Sequence, residues 1–452
     1  MGKLFGTDGI RGIVGETLSA EMAYRVGQAV ATVLAEEKQG KPEITIGKDT
    51  RISSDMLESA LIAGICSVGG DVVPLGVIPT PAVAYLTVER QSDAGIVISA
   101  SHNPYEHNGI KVFNGKGYKL SDELEKRVEE LVLGNAPIVE KTGREIGTMI
   151  RGMKEARNRY IEHLLETVED DFSGLRICVD CANGAASATA PVLFQHFKAR
   201  TDVMHAIPNG VNINNHCGST QLQSLQETVV NDGYDIGVAY DGDADRCLMV
   251  DETGAVIDGD KIMAVCAGAM REEGKLAGNA IVATVMSNLG LHEFCKKEKI
   301  DLVCTDVGDR HVLEKMLECG YRIGGEQSGH MIYTEYATTG DGELTSLQFL
   351  QILKRSGKKA SELVACCAQY PQVLVNVSVS PQPGVKERVM ASQELKDAVQ
   401  EQEKLLGNDG RILLRPSGTE ALIRVMVEAK TEEMANSYAE KLANVVKTLK
   451  IS

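Results

Sequence analysis

The sequence predicts an α/β fold in which similar α/β units follow one another and a smaller C-terminal α+β domain ends the chain. Short apolar, β-rich runs end in glycine or polar turns and are each followed by a longer helical pattern, which is typical of βα units around largely parallel sheets. The pattern changes after residue 371, where strands flank helices. The 452 residues suffice for three or four domains of roughly 100–200 residues each.

The elements can be placed in chain order. The first predicted strands lie in EITIGKDTR, AGIVISASHNP, LRICVDCANGAAS, DIGVAYDGDADR, AIVATVMSN and RIGGEQSGH. A charged amphipathic helix is predicted at 153–168, after the first unit, and the turn DETG closes the second. Strands in VLVNVSV, RILLRPSG and ALIRVMVEA and a helix at 431–450 form the last unit. The predicted domains are therefore 1–153, 154–258, 259–371 and 372–452.

Charge and cysteine content exclude several classes of protein. The net charge is −16, from 47 basic and 63 acidic residues, which is the wrong sign for binding nucleic acid or a membrane surface. An anionic substrate must therefore meet a local basic cluster. Eleven scattered cysteines and no recognisable signal peptide lead us to expect a cytoplasmic protein. Cys178 and Cys181 form a CxxC without a second pair, so we expect a packed strand end rather than a zinc or redox site.

Ser101 lies in SASHNP, directly after a predicted strand. That strand must end here because Pro104 has no N–H to donate. We expect the serine to be exposed, either in a capped turn before a helix or as a nucleophile. A serine hydroxyl needs a base, a metal or a cation to become a good nucleophile. His102 and Lys111 are near in sequence and are candidates for that assistance.

Three carboxylates stand at alternate positions in YDGDADRCLMVDE, namely Asp241, Asp243 and Asp245. They repel one another unless a hard cation such as Mg²⁺ holds them. A calcium EF-hand loop would have Glu252 in its twelfth place, but Arg246 stands where the glycine of that loop belongs and the flanks are typical of strands. Magnesium is favoured over calcium and over a solvated acidic turn.

Three further turns carry polar groups that suit a sugar phosphate. Glu326 and Ser328 in GGEQSGH suit sugar hydroxyls, with a capped tight turn as the alternative. TDVGDRHV, with Gly308 and Arg310, lies at a strand-to-helix junction, where an anion is favoured. RPSGTEALIR offers guanidinium, hydroxyl and backbone N–H groups for a phosphate, with surface ion pairs as the alternative. The residues of this phosphate cradle are Arg415, Ser417, Gly418, Thr419 and Arg424.

Together these motifs resemble the α-D-phosphohexomutase family, and within it the bacterial branch that acts on amino sugars. The resemblance rests on FGTDGIRG (5–12), SASHNP, DGDADR, VGDR, GEQSGH and RPSGTE, which occur in the family's order over nearly the whole chain. It implies three similar mixed or parallel α/β domains and a smaller fourth domain that swings over a central cleft. It also implies a soluble small-molecule partner, a hexosamine phosphate, and a possible homodimer.

The resemblance implies a phosphoserine enzyme. Ser101 would carry a phosphoryl group in the resting state and would bind one Mg²⁺ per active site together with Asp241, Asp243 and Asp245. Glucosamine 6-phosphate would enter with its phosphate in the cradle and form glucosamine 1,6-bisphosphate, which is both intermediate and activator. After the bisphosphate turns end for end, its other phosphoryl group would return to Ser101, and glucosamine 1-phosphate would leave, for UDP-N-acetylglucosamine synthesis. Arg11, Lys111 and Arg246 would add positive charge near Ser101.

The resemblance also assigns sugar contacts and leaves one role open. Sugar binding would fall to residues in three of the motifs, which are Arg246, Gly308, Arg310, Glu326 and Ser328. Some branches carry a lysine before the VGD turn and use it as general acid and base, whereas this chain has Asp306. The candidates for proton transfer are His102, Lys111 and Asp306, in that order. Activity on glucose or mannose phosphates, and a catalytically silent sugar-phosphate-binding protein, are the alternative functions.

Overall fold

A computed structural model describes residues 4–6, 9–150, 155–407, 409–417 and 420–449. The chain divides into two compact units, Met1–Met286 with Ile300–Cys366, and Ser287–Lys299 with Cys367–Ser452. Among the described residues, no helix combines the length and the apolar character that crossing a membrane would require.

The first sheet has five strands in the order β1-β5-β4-β2-β3. Strands β3, β2 and β4 are parallel, whereas β5 pairs antiparallel with β4 and β1 pairs antiparallel with β5. Because β5 begins at His107, the expectation that the SASHNP turn precedes a helix is wrong. The elements are β1 (Ile10–Ile13), α1 (Ala20–Lys38), β2 (Glu43–Lys48), α2 (Ser54–Ser67), β3 (Asp71–Val77), α3 (Thr80–Arg90), β4 (Ala94–Ile98), β5 (His107–Asn114) and α4 (Asp122–Val132).

The second sheet repeats this arrangement with the order β10-β9-β8-β6-β7. Strands β7, β6 and β8 are parallel, and β9 and β10 continue antiparallel. The helix predicted at 153–168 is found at Ala156–Glu166, and residues 153 and 154 lie outside the described residues. The elements are α5 (Ala156–Glu166), β6 (Arg176–Asp180), α6 (Ala190–Leu193), β7 (Arg200–Met204), α7 (Gln223–Asp232), β8 (Ile236–Tyr240), β9 (Cys247–Asp251) and β10 (Val256–Ile257).

The third sheet has the order β12-β11-β13-β14, again with parallel strands followed by an antiparallel one. Helix α9 lies in the second compact unit, and the other elements of this segment lie in the first. The elements are α8 (Gly259–Glu272), β11 (Ala280–Thr284), α9 (Leu289–Glu298), β12 (Asp301–Thr305), α10 (Asp309–Cys319), β13 (Ile323–Gly325), β14 (Met331–Tyr333), α11 (Gly342–Ser356) and α12 (Ala360–Val364).

The fourth sheet lies in the second unit and is fully antiparallel, in the order β15-β17-β16. Val425 and Val427 of the central strand and Ala435 and Leu442 of α15 are buried in its core. Thr431 caps α15, so the helix predicted at 431–450 is found at Glu432–Thr448. The elements are β15 (Gln372–Ser378), α13 (Val385–Ala391), α14 (Gln393–Leu406), β16 (Gly410–Pro416), β17 (Leu422–Ala429) and α15 (Glu432–Thr448).

These sheets confirm the predicted fold class of three similar α/β domains and a smaller α+β domain. Strands β4, β8 and β13 occupy the same place in their sheets, at the junction between the parallel strands and the antiparallel one. The turns after them carry Ser101, Asp241 and Glu326, respectively. Ligands of α/β sheets bind outside the carboxyl ends of strands, so the repeated topology places three predicted motifs at equivalent positions.

Candidate active site

Ser101 lies in the turn after β4 and is almost fully buried, with 1% of its surface exposed. Its Oγ donates a 2.5 Å hydrogen bond to Oδ2 of Asp241, and its backbone N–H donates to Oγ of Ser99 over 2.9 Å. Gly242 packs so closely that a Cβ there would lie 2.5 Å from the carbonyl oxygen of Ser101. The expectation that Ser101 is exposed is wrong, because the acidic loop after β8 covers it.

One arginine holds the turn that carries Ser101. The guanidinium of Arg51 donates to the carbonyl oxygens of Ser101 at 2.8 Å, Asn103 at 2.9 Å and His107 at 3.0 Å, and also to that of Pro104. A planar guanidinium can bind several carbonyl oxygens at once, because its N–H groups point in fixed directions. One side chain from the loop after β2 therefore binds four carbonyl oxygens of this turn.

A buried carboxylate orients that arginine. Oδ2 of Asp49 accepts from Nε of Arg51 over 2.8 Å and from Oγ of Ser99 over 2.7 Å. The side chains of Asp49 and Arg51 have no exposed surface, so each charge depends on the other. Asn214, from the loop after β7, adds a 2.9 Å hydrogen bond to the carbonyl oxygen of Ser101.

The three predicted metal ligands meet in one group. Carboxylate oxygens of Asp241, Asp243 and Asp245 lie within 4.8 Å of one another, and all three residues are buried. Burial, followed by the charges of the other two aspartates, raises the pKa of Asp241 well above its ordinary value. Oδ1 of Asp245 accepts no hydrogen bond from the described residues. An all-oxygen set of crowded carboxylates with acceptor capacity to spare fits Mg²⁺.

Basic side chains surround this acidic group. Nζ of Lys111 lies 2.8 Å from Oδ2 of Asp243 and 3.3 Å from Oδ2 of Asp245. The backbone N–H of Arg246 donates to Oδ1 of Asp241 over 3.2 Å. Burial lowers the pKa of Arg246, but the neighbouring carboxylates, Asp245 foremost, raise it overall. Lys111 and Arg246 therefore lie beside the aspartates, and their predicted role of adding positive charge near Ser101 stays a prediction.

The predicted proton-transfer residues occupy different environments. Nδ1 of His102 lies 3.3 Å from Oγ of Ser101. Burial, then the charges of Arg246 and Arg11, lower the pKa of His102 to about 4, so its imidazole is neutral at pH 7. Arg11 lies on β1, the edge strand beside β5. Asp306 follows β12 and is exposed.

The sugar-binding motif after β13 lies against the acidic loop. The backbone N–H of Cys247, the residue after Arg246, donates to the carbonyl oxygen of Gly329 over 3.0 Å. Glu326 accepts a 3.1 Å hydrogen bond from the N–H of Gly308 through Oε1. Oγ of Ser328 is buried and has no hydrogen-bond partner among the described residues. The structure thus brings Glu326, Ser328 and Gly308 together, and their contact with sugar stays a prediction.

Arg310 is engaged elsewhere in this structure. Its guanidinium donates to the carbonyl oxygen of Leu120 over 2.8 Å and lies 2.5 Å from Oδ1 of Asp122 and 3.4 Å from Oε1 of Glu314. These contacts link α10 to the start of α4. Binding of sugar by Arg310 stays a prediction and would require it to leave these partners.

The predicted phosphate cradle lies in the second unit. Arg415 on β16 and Arg424 on β17 are directly opposite in the antiparallel register, so like charges face each other on one side of the sheet. The Nε atoms of both are buried and donate to none of the described residues. Burial, then the charge of Arg424, lowers the pKa of Arg415. An anion would relieve this repulsion.

The turn between these strands is partly described. Nζ of Lys386 donates to the carbonyl oxygens of Ser417 and, over 3.2 Å, Glu420. The other predicted cradle residues, Gly418 and Thr419, lie outside the described residues. Sequence reasoning missed Lys386, because it is on α13, far from the motif in sequence.

Comparison with known proteins identifies the family of this site. The four descriptions of the phosphoglucomutase/phosphomannomutase domains match in chain order, with α/β/α domain I at 2–137, domain II at 158–254, domain III at 258–370 and the C-terminal domain at 374–445. The phosphoglucosamine mutase of Acetivibrio thermocellus is 51% identical over 447 residues, which cover 99% of both chains. The chain belongs to the phosphoglucomutase/phosphomannomutase family.

A further relative and two solved structures are similar to this chain in sequence or in fold. The phosphoglucosamine mutase of Rhodococcus erythropolis is 50% identical over 447 residues, 99% of each chain. The crystal structure of a family protein from Burkholderia thailandensis superposes with a TM-score of 0.84 at 23% identity, covering 99% of this chain and 98% of the other. The N-acetylphosphoglucosamine mutase of Aspergillus fumigatus, solved with GlcNAc-6P and magnesium, gives 0.66 at 19% identity, covering 99% and 96%.

Sequence reasoning missed three groups that support the family's serine turn, namely Asp49, Arg51 and Asn214. Asp49 and Arg51 stand in GKDTR, which the apolar pattern marks only as a strand end. A usable signal was present, since β2 and β4 are both predicted parallel strands. Neighbouring parallel strands end at the same edge of a sheet, which places GKDTR beside SASHNP.

Proposed function

We propose that this protein is a phosphoglucosamine mutase, which interconverts glucosamine 6-phosphate and glucosamine 1-phosphate through a phosphoserine at position 101. The observation that carries the proposal is the 2.5 Å hydrogen bond from Oγ of Ser101 to Asp241, within a group of three aspartates that suits Mg²⁺. Relatives of that name match the chain along its full length, at 51% and 50% identity.

The transfer step uses the groups around Ser101. A sugar hydroxyl attacks the phosphorus of phospho-Ser101, a new O–P bond forms, and the bond from phosphorus to Oγ breaks. Mg²⁺ held by the three aspartates would neutralise charge on the phosphoryl and leaving oxygens. In the net reaction the proton of the attacking hydroxyl passes to Oγ of Ser101, and neutral His102, whose Nδ1 lies 3.3 Å from Oγ, is placed at that leaving oxygen to relay it. Lys111 lies between Asp243 and Asp245, a place that suits an ammonium, which has no lone pair to accept a proton.

The second half of the reaction needs glucosamine 1,6-bisphosphate to turn end for end. Arg415 and Arg424, with Ser417, Gly418 and Thr419, would hold the phosphate that is not reacting. The arrangement of two opposed guanidinium groups supports this role. Glu326 and Ser328 would contact the sugar in both orientations. The four predicted domains, 1–153, 154–258, 259–371 and 372–452, belong to the same proposal, and the repeated strand order supports them.

A mass measurement and a variant test the phosphoserine. The purified protein should carry an added mass of about 80 Da on the peptide that contains Ser101. Ser101→Ala should lose that mass and all turnover, and chelation of divalent ions should stop turnover of the wild type. Ser59→Ala, which removes an exposed helix hydroxyl, is the matched control and should keep both properties. Normal turnover by Ser101→Ala would refute the mechanism.

A second candidate function is phosphoglucomutase or phosphomannomutase activity, which the family descriptions favour. Turnover of the 6-phosphates of glucosamine, glucose and mannose should be compared under identical conditions, with dominant activity expected on glucosamine 6-phosphate. Dominant activity on mannose 6-phosphate would overturn the assignment, and no turnover on any of the three would favour a silent binding protein.

Location and assembly are part of this proposal. The described structure places none of the eleven cysteines in a disulfide, which supports a reducing cytoplasm. A homodimer is proposed on the family resemblance alone, and light scattering during size-exclusion chromatography tests it.

A further inference from the structure

A second group of metal-ligating side chains lies at the end of the second sheet. Ligand atoms of Asp180, His205 and Cys217 lie within 4.8 Å of one another. Asp180 ends β6, His205 follows the parallel neighbour β7, and the loop 205–218 returns Cys217 to both. We propose that this group binds Zn²⁺ or a similar divalent transition-metal ion, at a site separate from the three aspartates.

The carboxylate of Asp180 is held as a ligand would be. Oδ1 accepts from the N–H of Ala182 over 2.8 Å, and Oδ2 accepts from the N–H of Gly218 over 2.9 Å. Each carboxylate oxygen has a further lone pair beyond the one used. Hydrogen bonds of this kind orient the ligands of protein metal sites and fix their direction before the ion arrives.

The imidazole of His205 is directed at the same place. Its Nδ1 lies 3.1 Å from Oδ2 of Asp180, so the two groups form an ion pair when the imidazole is protonated. The nitrogen atom is buried, whereas 28% of the side chain is exposed. The separation of 3.1 Å between this nitrogen and the carboxylate oxygen also suits two ligands of one ion, which would take the place of that proton.

Cys217 supplies the sulfur that selects the class of ion. It is fully buried, and Nδ2 of Asn183 lies 3.8 Å from its Sγ. Binding of a cation through Sγ would replace the thiol proton, so one proton is released as the metal–sulfur bond forms.

The mixed ligand set of Asp180, His205 and Cys217 should distinguish Zn²⁺ from Mg²⁺. Oxygen, nitrogen and sulfur ligands together suit Zn²⁺, whose three protein ligands leave a fourth position for water, whereas Mg²⁺ takes oxygen ligands only. Zinc-class ions should therefore prefer this group while magnesium prefers the aspartates. The bound ion would tie both ends of the loop 205–218, whose Asn214 supports the carbonyl oxygens of Ser101 and Asn103.

Cobalt is a spectroscopic probe for this site. Co²⁺ should be titrated into the whole protein at saturating Mg²⁺, with expected binding of one equivalent and a sulfur-to-cobalt charge-transfer band in the near ultraviolet. Zn²⁺ should displace the cobalt and abolish the band. Cys217→Ser should lose the band, and His205→Gln should weaken cobalt binding by about 10-fold or more. Two control variants, Cys304→Ser, which removes an exposed thiol, and Asp243→Asn, should keep the band and the cobalt affinity.

Each outcome supports or overturns the proposal. A band that survives in Cys217→Ser, or one that disappears in Cys304→Ser, would assign cobalt to other thiols and overturn it. Unchanged affinity in His205→Gln would also overturn it, and would leave Asp180 and His205 as an ion pair only. Circular dichroism checks the fold of each variant. If Cys217→Ser does not fold, the cobalt affinity of His205→Gln decides whether the site binds a cation. This variant changes only a partly exposed side chain.

Discussion

Nη2 of Arg51 donates a 2.8 Å hydrogen bond to the carbonyl oxygen of Ser101. Ser101 has a φ of 52°, a left-handed conformation that residues other than glycine rarely adopt. Such backbone strain persists only where surrounding contacts fix it. Because the same guanidinium bonds three more carbonyl oxygens of this turn, Arg51 is a positioning residue for the proposed phosphoserine.

Arg51→Lys should separate positioning from charge. Lysine keeps the positive charge beside Asp49 but lacks the several N–H groups of a guanidinium. The turn should therefore shift, and kcat should fall about 100-fold with little change in KM. Steady-state kinetics and the phosphoserine content of the variant measure this. Arg25→Lys, on the exposed face of α1, is the control and should behave as wild type. An unchanged kcat for Arg51→Lys would show that the turn holds itself.

Arg51→Ala should cost stability as well. It leaves the buried carboxylate of Asp49 without its partner, and removing one member of a buried ion pair costs about 3–5 kcal/mol. Urea unfolding at pH 7 measures the free energy of unfolding. A loss below about 1 kcal/mol would contradict the assigned role.

Lys111→Met should make the protein more dependent on magnesium for stability. The ammonium group balances two buried carboxylates, so its loss should lower the melting temperature in a chelating buffer and enlarge the rise on adding Mg²⁺. Thermal unfolding with EDTA and with Mg²⁺ measures both. Lys119→Met, which removes an ammonium group beside Asp309, is the matched control. Equal magnesium-induced rises in wild type and Lys111→Met would contradict the prediction.

Much of the fold was predictable because each strand and the turn after it have a distinct local sequence pattern. The pattern of an apolar run followed by a polar turn is local, so it located the strands before Ser101 and Asp241 from sequence alone. The β5 strand was missed, since His107 to Asn114 contains polar residues and follows a proline turn that favoured a helix cap. Pairing with β4 and β1 on both sides decides its structure, and that contact is nonlocal.

The site was predictable where one motif carries the chemistry and unpredictable where distant segments share it. The three aspartates lie within five residues, so their mutual repulsion could be inferred from spacing. The burial of Ser101 could not, because it depends on Gly242 from another sheet. Arg310 is a second such case, since its ion pair with Asp122 depends on the packing of α10 near α4.

Gly242→Ala should disrupt the contact between the turns that carry Ser101 and Asp241. An added Cβ would lie 2.5 Å from the backbone oxygen of Ser101 and 2.8 Å from Nδ2 of Asn214, and backbone cannot move aside cheaply. We expect turnover to fall about 100-fold while the fold persists, as kinetics and circular dichroism would show. Gly40→Ala, whose Cβ would meet its nearest neighbour at 3.9 Å, should be harmless. Equal activity of the two variants would contradict the close packing.

His292 should make the second unit lose stability in mild acid. Burial, then the charge of Arg411, lowers the pKa of His292 from 6.5 to about 4, and Nη1 of Arg411 donates to its Nε2 over 3.1 Å. The folded state thus favours the neutral imidazole, whereas the unfolded state takes up a proton below pH 6.5. The stabilisation is complete above that pH and is lost as the pH falls toward 4. His292→Gln cannot take up this proton, so the free energy of unfolding in urea should fall less for the variant than for wild type between pH 6.5 and 4. An equal fall in the free energy of unfolding of the variant and of wild type would mean that other groups account for the acid sensitivity.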